Sequence, residues 1–509
     1  MVAVKPFLLD TGEGWVLFFQ YNKKNSMSID NIMQQAAIAF QQYRETKAEQ
    51  KAVFLETIAA NMEAAGAALI GQAAEETHLP QARLVSERAR TTMQLRMFAA
   101  LLREGSWVEA TVDTADATVN PAKPDIRKML IPLGPVVVFG ASNFPFAYST
   151  AGGDTASALA AGCAVVVKAH PAHLKTSQLV HKAIKDAIFS SGMPPHVFQH
   201  VEDGSFEAGE SLVKHAATAA VGFTGSFAGG KALYDHAAAR KNPIPVFAEM
   251  GSTNPIILLP DTLEKNAEEL ARQYIASVVL GMGQFCTNPG IVLGIESEGL
   301  SRFIAEAEKE IAAAIPQPML HEGIYKAYHA KMEKALQQTG VNVVGHSSTE
   351  PGAGEAWPTL AETDGTAFLS NPLLHEEVFG PYAIIVRCTD LDQLQKVWRS
   401  LAGQLTTSLM GTEKDFTEHA SMRALAESIA GRIIFNGVPT GVTVCNSMVH
   451  GGPFPATTDS RFTAVGINGI KRWVRPVCYQ NCPQTLLPPA LQNGNPLGIW
   501  RLVNNEWTR

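Results

Sequence analysis

Between residues 28 and 102, apolar positions recur every three or four residues with polar ones opposite, as in IDNIMQQAAIAFQQY and EQKAVFLETIAANMEAAGAALIGQAAEET. That period belongs to helices, and the alanine content supports it, so a helical layer is predicted. Residues 107–126 (WVEATVDTADATVNPAKPDI) alternate β-branched and polar residues and close on two prolines, which predicts an extended excursion. A βα rhythm follows. PVVVFG (135–140) predicts a strand, 147–161 a helix, CAVVVKA (163–169) a strand and 176–191 a helix; TAAVGFTGS (218–226), PVFAEMG (245–251) and NPIILLP (254–260) continue the series. Wholly apolar strands alternating with helices imply a parallel sheet covered on both faces.

The second half keeps the style with different content. Helices are expected at 262–280, 301–314 and 325–338, and strands at IVLGI (291–295), YAIIVRC (382–388), TTSLMG (406–411) and GRIIFN (431–436). No segment of the first half recurs, and no low-complexity linker interrupts the chain. The tail PQTLLPPALQNGNPLGIWRLVNN is expected to lie along a neighbouring surface.

A chain of 509 residues exceeds one ordinary core and predicts two or three domains. Its 46% hydrophobic and 17% charged content is globular, and a net charge of −7 without like-charge blocks argues against nucleic-acid or membrane-surface partners. No run of eighteen apolar residues predicts a membrane span, and MVAVKPFLLDTGEGW carries charges and glycines where a signal peptide needs an apolar core. Six scattered cysteines (163, 286, 388, 445, 478, 482) make no disulfide framework and fit a reducing compartment, so the cytoplasm is expected. Cys478 and Cys482 lack a second pair or a neighbouring histidine and read as structural, so no metal is expected.

Three segments carry candidate chemistry. GMGQFCTNPG (281–290) places Cys286 in a glycine-rich turn, where backbone N–H groups can favour a thiolate; Cys163 and Cys388, in apolar runs, suit the core instead. FAEMGSTNP (247–255) puts Glu249 at a strand end, either a solvated carboxylate or a buried general base. VVVFGASNFPFA (136–147) ends a strand in a turn bearing Asn143, either a helix cap or an oxyanion donor. GSFAGGKA (225–232) follows a P-loop as far as Lys231, but Ala232 stands where Mg²⁺ requires a hydroxyl.

Together, SNFPFA, VVVKAHP, GFTGS, EMGSTNP, GQFCTNPG and EEVFGP (376–381) resemble, in order and spacing, the motifs of the aldehyde dehydrogenase superfamily, over residues 30–475. The resemblance implies an α/β fold: a doubly wound Rossmann-like cofactor domain (1–106 and 127–248), a second α/β catalytic domain (249–446) and a small β oligomerisation arm with the C-terminal tail (107–126 and 447–509). It implies NAD⁺ or NADP⁺ as cofactor, a small-molecule aldehyde as substrate, and a homodimer or homotetramer. By the same resemblance Cys286 is the nucleophile, Asn143 the oxyanion donor and Glu249 the base for thioester hydrolysis. Lys168 would contact the adenosine ribose, Gly225 and Ser226 the pyrophosphate, and Glu377 the nicotinamide ribose, with Phe379 beside the nicotinamide ring.

Departures narrow the branch. Ser142 precedes Asn143 where many members have Trp, Gly152 replaces a common lysine, and HGGPFPATTDSRFTAVG (450–466) replaces the usual C-terminal motif. These features resemble 2,5-dioxopentanoate (α-ketoglutarate semialdehyde) dehydrogenases and a long-chain fatty aldehyde dehydrogenase of luminous bacteria. Pro171 brings no carboxylate against a 2′-phosphate, and Lys168 with His170 could attract one, so NADP⁺ use is expected alongside NAD⁺. Phe144, Ala147, Tyr148, Phe285 and Thr287 flank the catalytic residues and are expected to line the aldehyde pocket with residues 440–462, whose Thr, Ser and Asn suit a short substrate with a polar end. Arg461 is the one arginine in that segment, hence either the cation for such an end or a surface residue. The alternatives are medium- or long-chain aliphatic aldehydes, acyl transfer to coenzyme A, and a catalytically inactive binding protein.

Overall fold

The computed structural model describes residues 28–509 and, before them, the strands Val4–Asp10 and Trp15–Tyr21, which pair antiparallel with each other. Residues 1–3, 11–14 and 22–27, part of the first expected domain and of the segment read as unlike a signal peptide, lie outside the described residues.

The helical layer consists of Ile29–Tyr43, Ala48–Ala64, Gly66–Thr77 and Gln81–Glu104. Ser28 starts it, its Oγ accepting the Asn31 N–H at 3.2 Å as an N-cap. The apolar stripes of these helices, with Phe54, Leu55, Ile58, Leu95 and Phe98, share one core with Val136, Val138, Val165 and Val167 of a sheet. That sheet has five parallel strands in the order Phe198–Val201, Val165–Lys168, Val136–Phe139, Ala220–Thr224, Val246–Glu249. The chain therefore starts in the middle and winds outward both ways, leaving a crevice at the carboxyl ends of the strands. Phe198–Val201 escapes sequence reading because Gln199 and His200 interrupt its apolar run.

The helix expected from 147 begins only at Gly153. Ahead of it the Glu87 carboxylate accepts the N–H groups of Phe146 (2.8 Å) and Ala147 (3.0 Å), holding the chain in turns. Gly152 is enforced by crowding, since a Cβ there would lie 2.4 Å from the Ala147 carbonyl oxygen.

A second sheet has the order Val341–His346, Thr359–Asp364, Tyr382–Cys388, Ile291–Ile295, Ile256–Leu258, Gln404–Met410, Ala430–Phe435, and all its pairings are parallel except the first. A third joins Val474–Gln480, Ile126–Pro132, Thr111–Asp113, Arg501–Val503 and Glu506–Thr508. The arm is thus larger than residues 107–126 on one side and smaller than 447–509 on the other.

Residues 447–473 do not belong to the arm. They run back between the first two sheets: Met250 N–H donates to Ala456 O (2.8 Å), Thr458 N–H to Ala248 O (3.1 Å) and Gly403 N–H to Phe454 O (3.3 Å). Glycines permit this approach. A Cβ on Gly403, Gly431 or Gly452 would come within 2.1, 2.1 or 2.0 Å of the carbonyl oxygens of Pro453, Gly451 and Gln404. The turn Ile467–Trp473 then packs on the helix Gly153–Ala161, where Arg472 pairs with Asp154 and Trp473 Nε1 donates to Ser157 Oγ at 2.7 Å.

Both members of the Arg472–Asp154 pair are nearly enclosed, with side-chain exposures of 5% and 11%. Arg472→Met would strand the aspartate, and a loss of about 3–5 kcal/mol is expected from urea unfolding; a loss below about 1 kcal/mol would show that the returning segment does not depend on this pair.

Candidate active site

The helix Pro260–Val279 ends in a curl in which Gly281, Met282 and Gly283 all take positive φ (54°, 54° and 62°), turning the chain so that Cys286 enters the crevice. Gly283 tolerates no side chain: a Cβ would meet Gly380 O at 2.2 Å. Asn254, itself at φ 47°, fastens the turn, its Nδ2 donating to Cys286 O and Asn288 O, both at 2.9 Å. Gln404 Oε1 in turn accepts the N–H groups of Thr253 (2.8 Å) and Asn254 (3.0 Å). The EMGSTNP segment therefore carries Glu249 and also holds the cysteine turn.

Asn143 is buried, with Nδ2 donating to Gln284 O at 3.2 Å, two residues from Cys286. Glu249 is buried at the end of its strand. Between Glu249 and Cys286 stands His450, which the sequence reading missed: its Nε2 lies 3.4 Å from Cys286 Sγ and 3.1 Å from Glu249 Oε1. A single histidine in a polar loop has no periodicity to announce it. The signal was the Gly451–Gly452 pair behind it, which marks a backbone pressed against another. The three donor atoms lie within 4.8 Å of one another, a spacing that a thiophilic cation such as zinc would also accept.

Burial, and next the Glu249 carboxylate, push the Cys286 thiol well above its ordinary range, with the Arg90 guanidinium pulling the other way. The thiolate favoured by backbone N–H groups is therefore not the resting form. The thiol requires a proton acceptor, and the two groups that face it are the Glu249 carboxylate and, in the tautomer with its proton on Nδ1, His450 Nε2.

On the crevice's other side, Lys168 ends the strand Val165–Lys168 and is largely buried; burial lowers its ammonium and the nearby Asp203 opposes that shift. Ser226 caps the helix Phe227–Ala238, its Oγ accepting the Gly229 N–H at 3.2 Å, so the positive end of that helix faces the crevice beside Gly225. Glu377 lies over Gly251, where a Cβ would come within 2.5 Å of its Oε2. Phe379 lines a small recess with Glu377 and Thr253. An ammonium, a helix N-terminus and a carboxylate in series suit an adenosine ribose, a pyrophosphate and a second ribose, so the donor set fits a nicotinamide dinucleotide. His170 does not join it. Its Nδ1 accepts the Ala172 N–H (3.2 Å), its ring stacks on His173, and burial lowers it to about 3, so it carries no charge toward a phosphate.

Phe144 and Phe285 meet edge-on (5.8 Å between centroids) and line a cavity of about 730 Å³. Ala147 and Thr287 are fully buried, and Tyr148 packs behind with Val442, Val444 and Met448. Val442, Val444 and Met448 of this segment are thus partly buried, while Thr443, Asn446, Ser447 and Val449 are exposed, so the lining is apolar rather than polar as expected. Arg461 is not in the pocket either: it is 79% exposed and held by Asp459 two residues earlier.

This constellation is that of a cysteine-dependent oxidoreductase, and residues 16–453 match the aldehyde dehydrogenase family, to which the chain belongs. Members act on small aldehydes with a nicotinamide dinucleotide. The chain is 46% identical over 483 residues to an alpha-ketoglutaric semialdehyde dehydrogenase of Acinetobacter baylyi, covering 94% of this chain and 91% of that one. It is 47% identical over 479 residues to alpha-ketoglutaric semialdehyde dehydrogenase 2 of Azospirillum brasilense, with the same coverage. In fold it is similar to a 1-pyrroline-5-carboxylate dehydrogenase from Thermus with bound NAD (TM-score 0.74, 18% identity, 89% of this chain and 85% of that one).

Burial raises the Glu377 carboxyl to about 7, against the pull of Lys331. A ribose hydroxyl donates best to the ionised form, which is depleted as pH falls through that value. The cofactor KM is expected to rise between pH 8 and pH 6 in the native enzyme and to stay flat in Glu377→Gln; parallel profiles would remove Glu377 from cofactor binding.

Proposed function

We propose that the protein oxidises 2,5-dioxopentanoate to the dicarboxylate through a thioester on Cys286. The observation that carries the chemistry is the His450 bridge between Cys286 Sγ and Glu249, beside the Asn143 amide. The names of the two relatives at 46% and 47% identity carry the substrate.

The Cys286 thiol passes its proton to His450 Nε2 as sulfur bonds to the aldehyde carbon. The oxyanion so formed takes hydrogen bonds from the Asn143 Nδ2 and the Cys286 N–H, donors that gain strength as charge develops. A nicotinamide dinucleotide held by Lys168, the Ser226 helix end and Glu377 supplies the acceptor for the hydride that leaves this carbon. The thiohemiacetal thereby becomes a thioester. Glu249 then takes a proton from a water that attacks the thioester carbon, and the departing sulfur recovers a proton from His450. One water is consumed, and the product leaves as a carboxylate, its acid proton and the proton on Glu249 passing to solvent.

A base buried within 4.8 Å of the sulfur favours water over coenzyme A as the acyl acceptor, and the same three groups argue against an inactive binding protein. Long alkanals are the second reading, because Val442, Val444 and Met448 make the C-terminal wall apolar. NAD⁺ and NADP⁺ are both proposed as cofactors: Pro171 adds no carboxylate at the ribose, while Asp203 near Lys168 offsets part of the attraction for a 2′-phosphate. The open edge Val474–Gln480 of the arm sheet suits pairing into a homodimer or homotetramer.

Glu249→Gln should release about one NAD(P)H per site in a burst and then turn over slowly, because only hydrolysis loses its base; an unchanged steady-state rate would exclude Glu249 from hydrolysis. The substrate is tested by kcat/KM with purified enzyme. 2,5-Dioxopentanoate should exceed decanal by at least roughly tenfold, and the reverse order would establish the alkanal reading.

A further inference from the structure

The cavity beside Phe144 and Phe285 has one charged wall. It is a single face of the helix Gln81–Glu104, carrying Arg83, Glu87 and Arg90 at four- and three-residue spacing. All three reach the 143–148 loop. Arg83 Nη2 donates to Asn143 O at 2.8 Å, Glu87 Oε1 accepts the N–H groups of Phe146 and Ala147, and Arg90 Nη2 donates to Tyr148 Oη at 3.3 Å. Arg83 also lies 5.1 and 4.7 Å from the ring centroids of Phe144 and Phe285.

These contacts leave the cations incompletely satisfied. Arg83 Nη1 and Arg90 Nε have no hydrogen-bond partner in the protein; Glu87 lies within reach of both charges, but it bonds the backbone through Oε1 and leaves Oε2 without a partner. Enclosed guanidinium N–H groups without acceptors cost free energy, and an uncharged aldehyde would not relieve it. A carboxylate would, and the planar fork of arginine matches it in two parallel bonds.

A chain of contacts connects Arg90 to the nucleophile. Arg90 touches Tyr148, whose ring lies 6.2 Å from that of His450, which touches Cys286. An extended five-carbon chain separates its terminal carbons by roughly 5 Å. The field of Arg90 also falls on Cys286 directly.

Resting on the proposed function, we infer that Arg90, with Arg83 two turns along the same face, takes the carboxylate of an ω-oxo acid and so sets selectivity over plain alkanals. The helical layer, not the C-terminal segment with Arg461, is then the specificity element. Arg83 has a second duty as a positioning residue for Asn143, so Arg90 is the position to test.

The experiment compares native enzyme, Arg90→Met and Arg90→Lys on 2,5-dioxopentanoate, succinate semialdehyde and pentanal, with 2-oxoglutarate as inhibitor of pentanal oxidation. Arg90→Met should lower kcat/KM for both oxo acids by roughly 30-fold more than for pentanal, mainly through KM, as expected for a lost charge-assisted bond. The inhibition constant of 2-oxoglutarate should rise in parallel, and Arg90→Lys should recover part of both. Equal losses on all three aldehydes, or an unchanged inhibition constant, would reduce Arg90 to a support for the loop and overturn the inference. The native enzyme's ranking of 2,5-dioxopentanoate against succinate semialdehyde tests the substrate reading separately, since the variant ratio judges the arginine with either acid.

Discussion

One buried amide ties the two halves of the site together. Asn254 sits where the chain leaves the last strand of the first sheet for the second, and it donates to both Cys286 O and Asn288 O while its Oδ1 accepts from Ser252 and Thr406. The amide thus satisfies carbonyls of a turn that makes few bonds to itself, and it fixes the separation of Cys286 from Glu249, five residues upstream of Asn254. Upstream, the positive-φ residues 281–283 are held separately, Gly281 O accepting from the Gln284 N–H and Nε2. Positioning of the cysteine against its base is built into the junction between sheets rather than added by a flexible loop.

Given that junction, the glycines of 403, 431, 451 and 452 explain the unusual C-terminal motif. They let backbone press on backbone, and the residue at the head of that contact, His450, is driven between sulfur and carboxylate. The same crowding bears on Gly152. No side chain has room at that position against Ala147 O.

Much of this was legible in the sequence. Most strands of the first two sheets announce themselves because burial on two faces demands continuous apolar runs, whereas Phe198–Val201, Val341–His346 and Thr359–Asp364 carry polar residues and escape reading. Cys286, Glu249 and Asn143 stand in motifs whose order alone is diagnostic. What escaped reading depends on long-range contact. Arg461 is the exception: the sequence leaves it open between a pocket cation and a surface residue, and its captor Asp459 stands only two residues earlier, leaving the guanidinium exposed. Residues 447–473 looked like a tail because their partners, 248–250 and 403, lie far away in sequence. Arg83, Glu87 and Arg90 do not stand out in the sequence, because nothing in the spacing of charged residues along a helix shows that Glu87 is only 4% exposed.

The return of residues 447–473 has a consequence for the order in which the enzyme comes into being. Cys286 and Glu249 leave the ribosome well before His450, and the strand Ile126–Pro132 must wait for Val474–Gln480, so the decisive pairings are among the last the chain can make. A truncated or half-made chain therefore holds Cys286 without the His450 contact and without the closing strand of the arm sheet, and on the proposed mechanism the nascent protein would stay chemically quiet until its final stretch has been translated and threaded home.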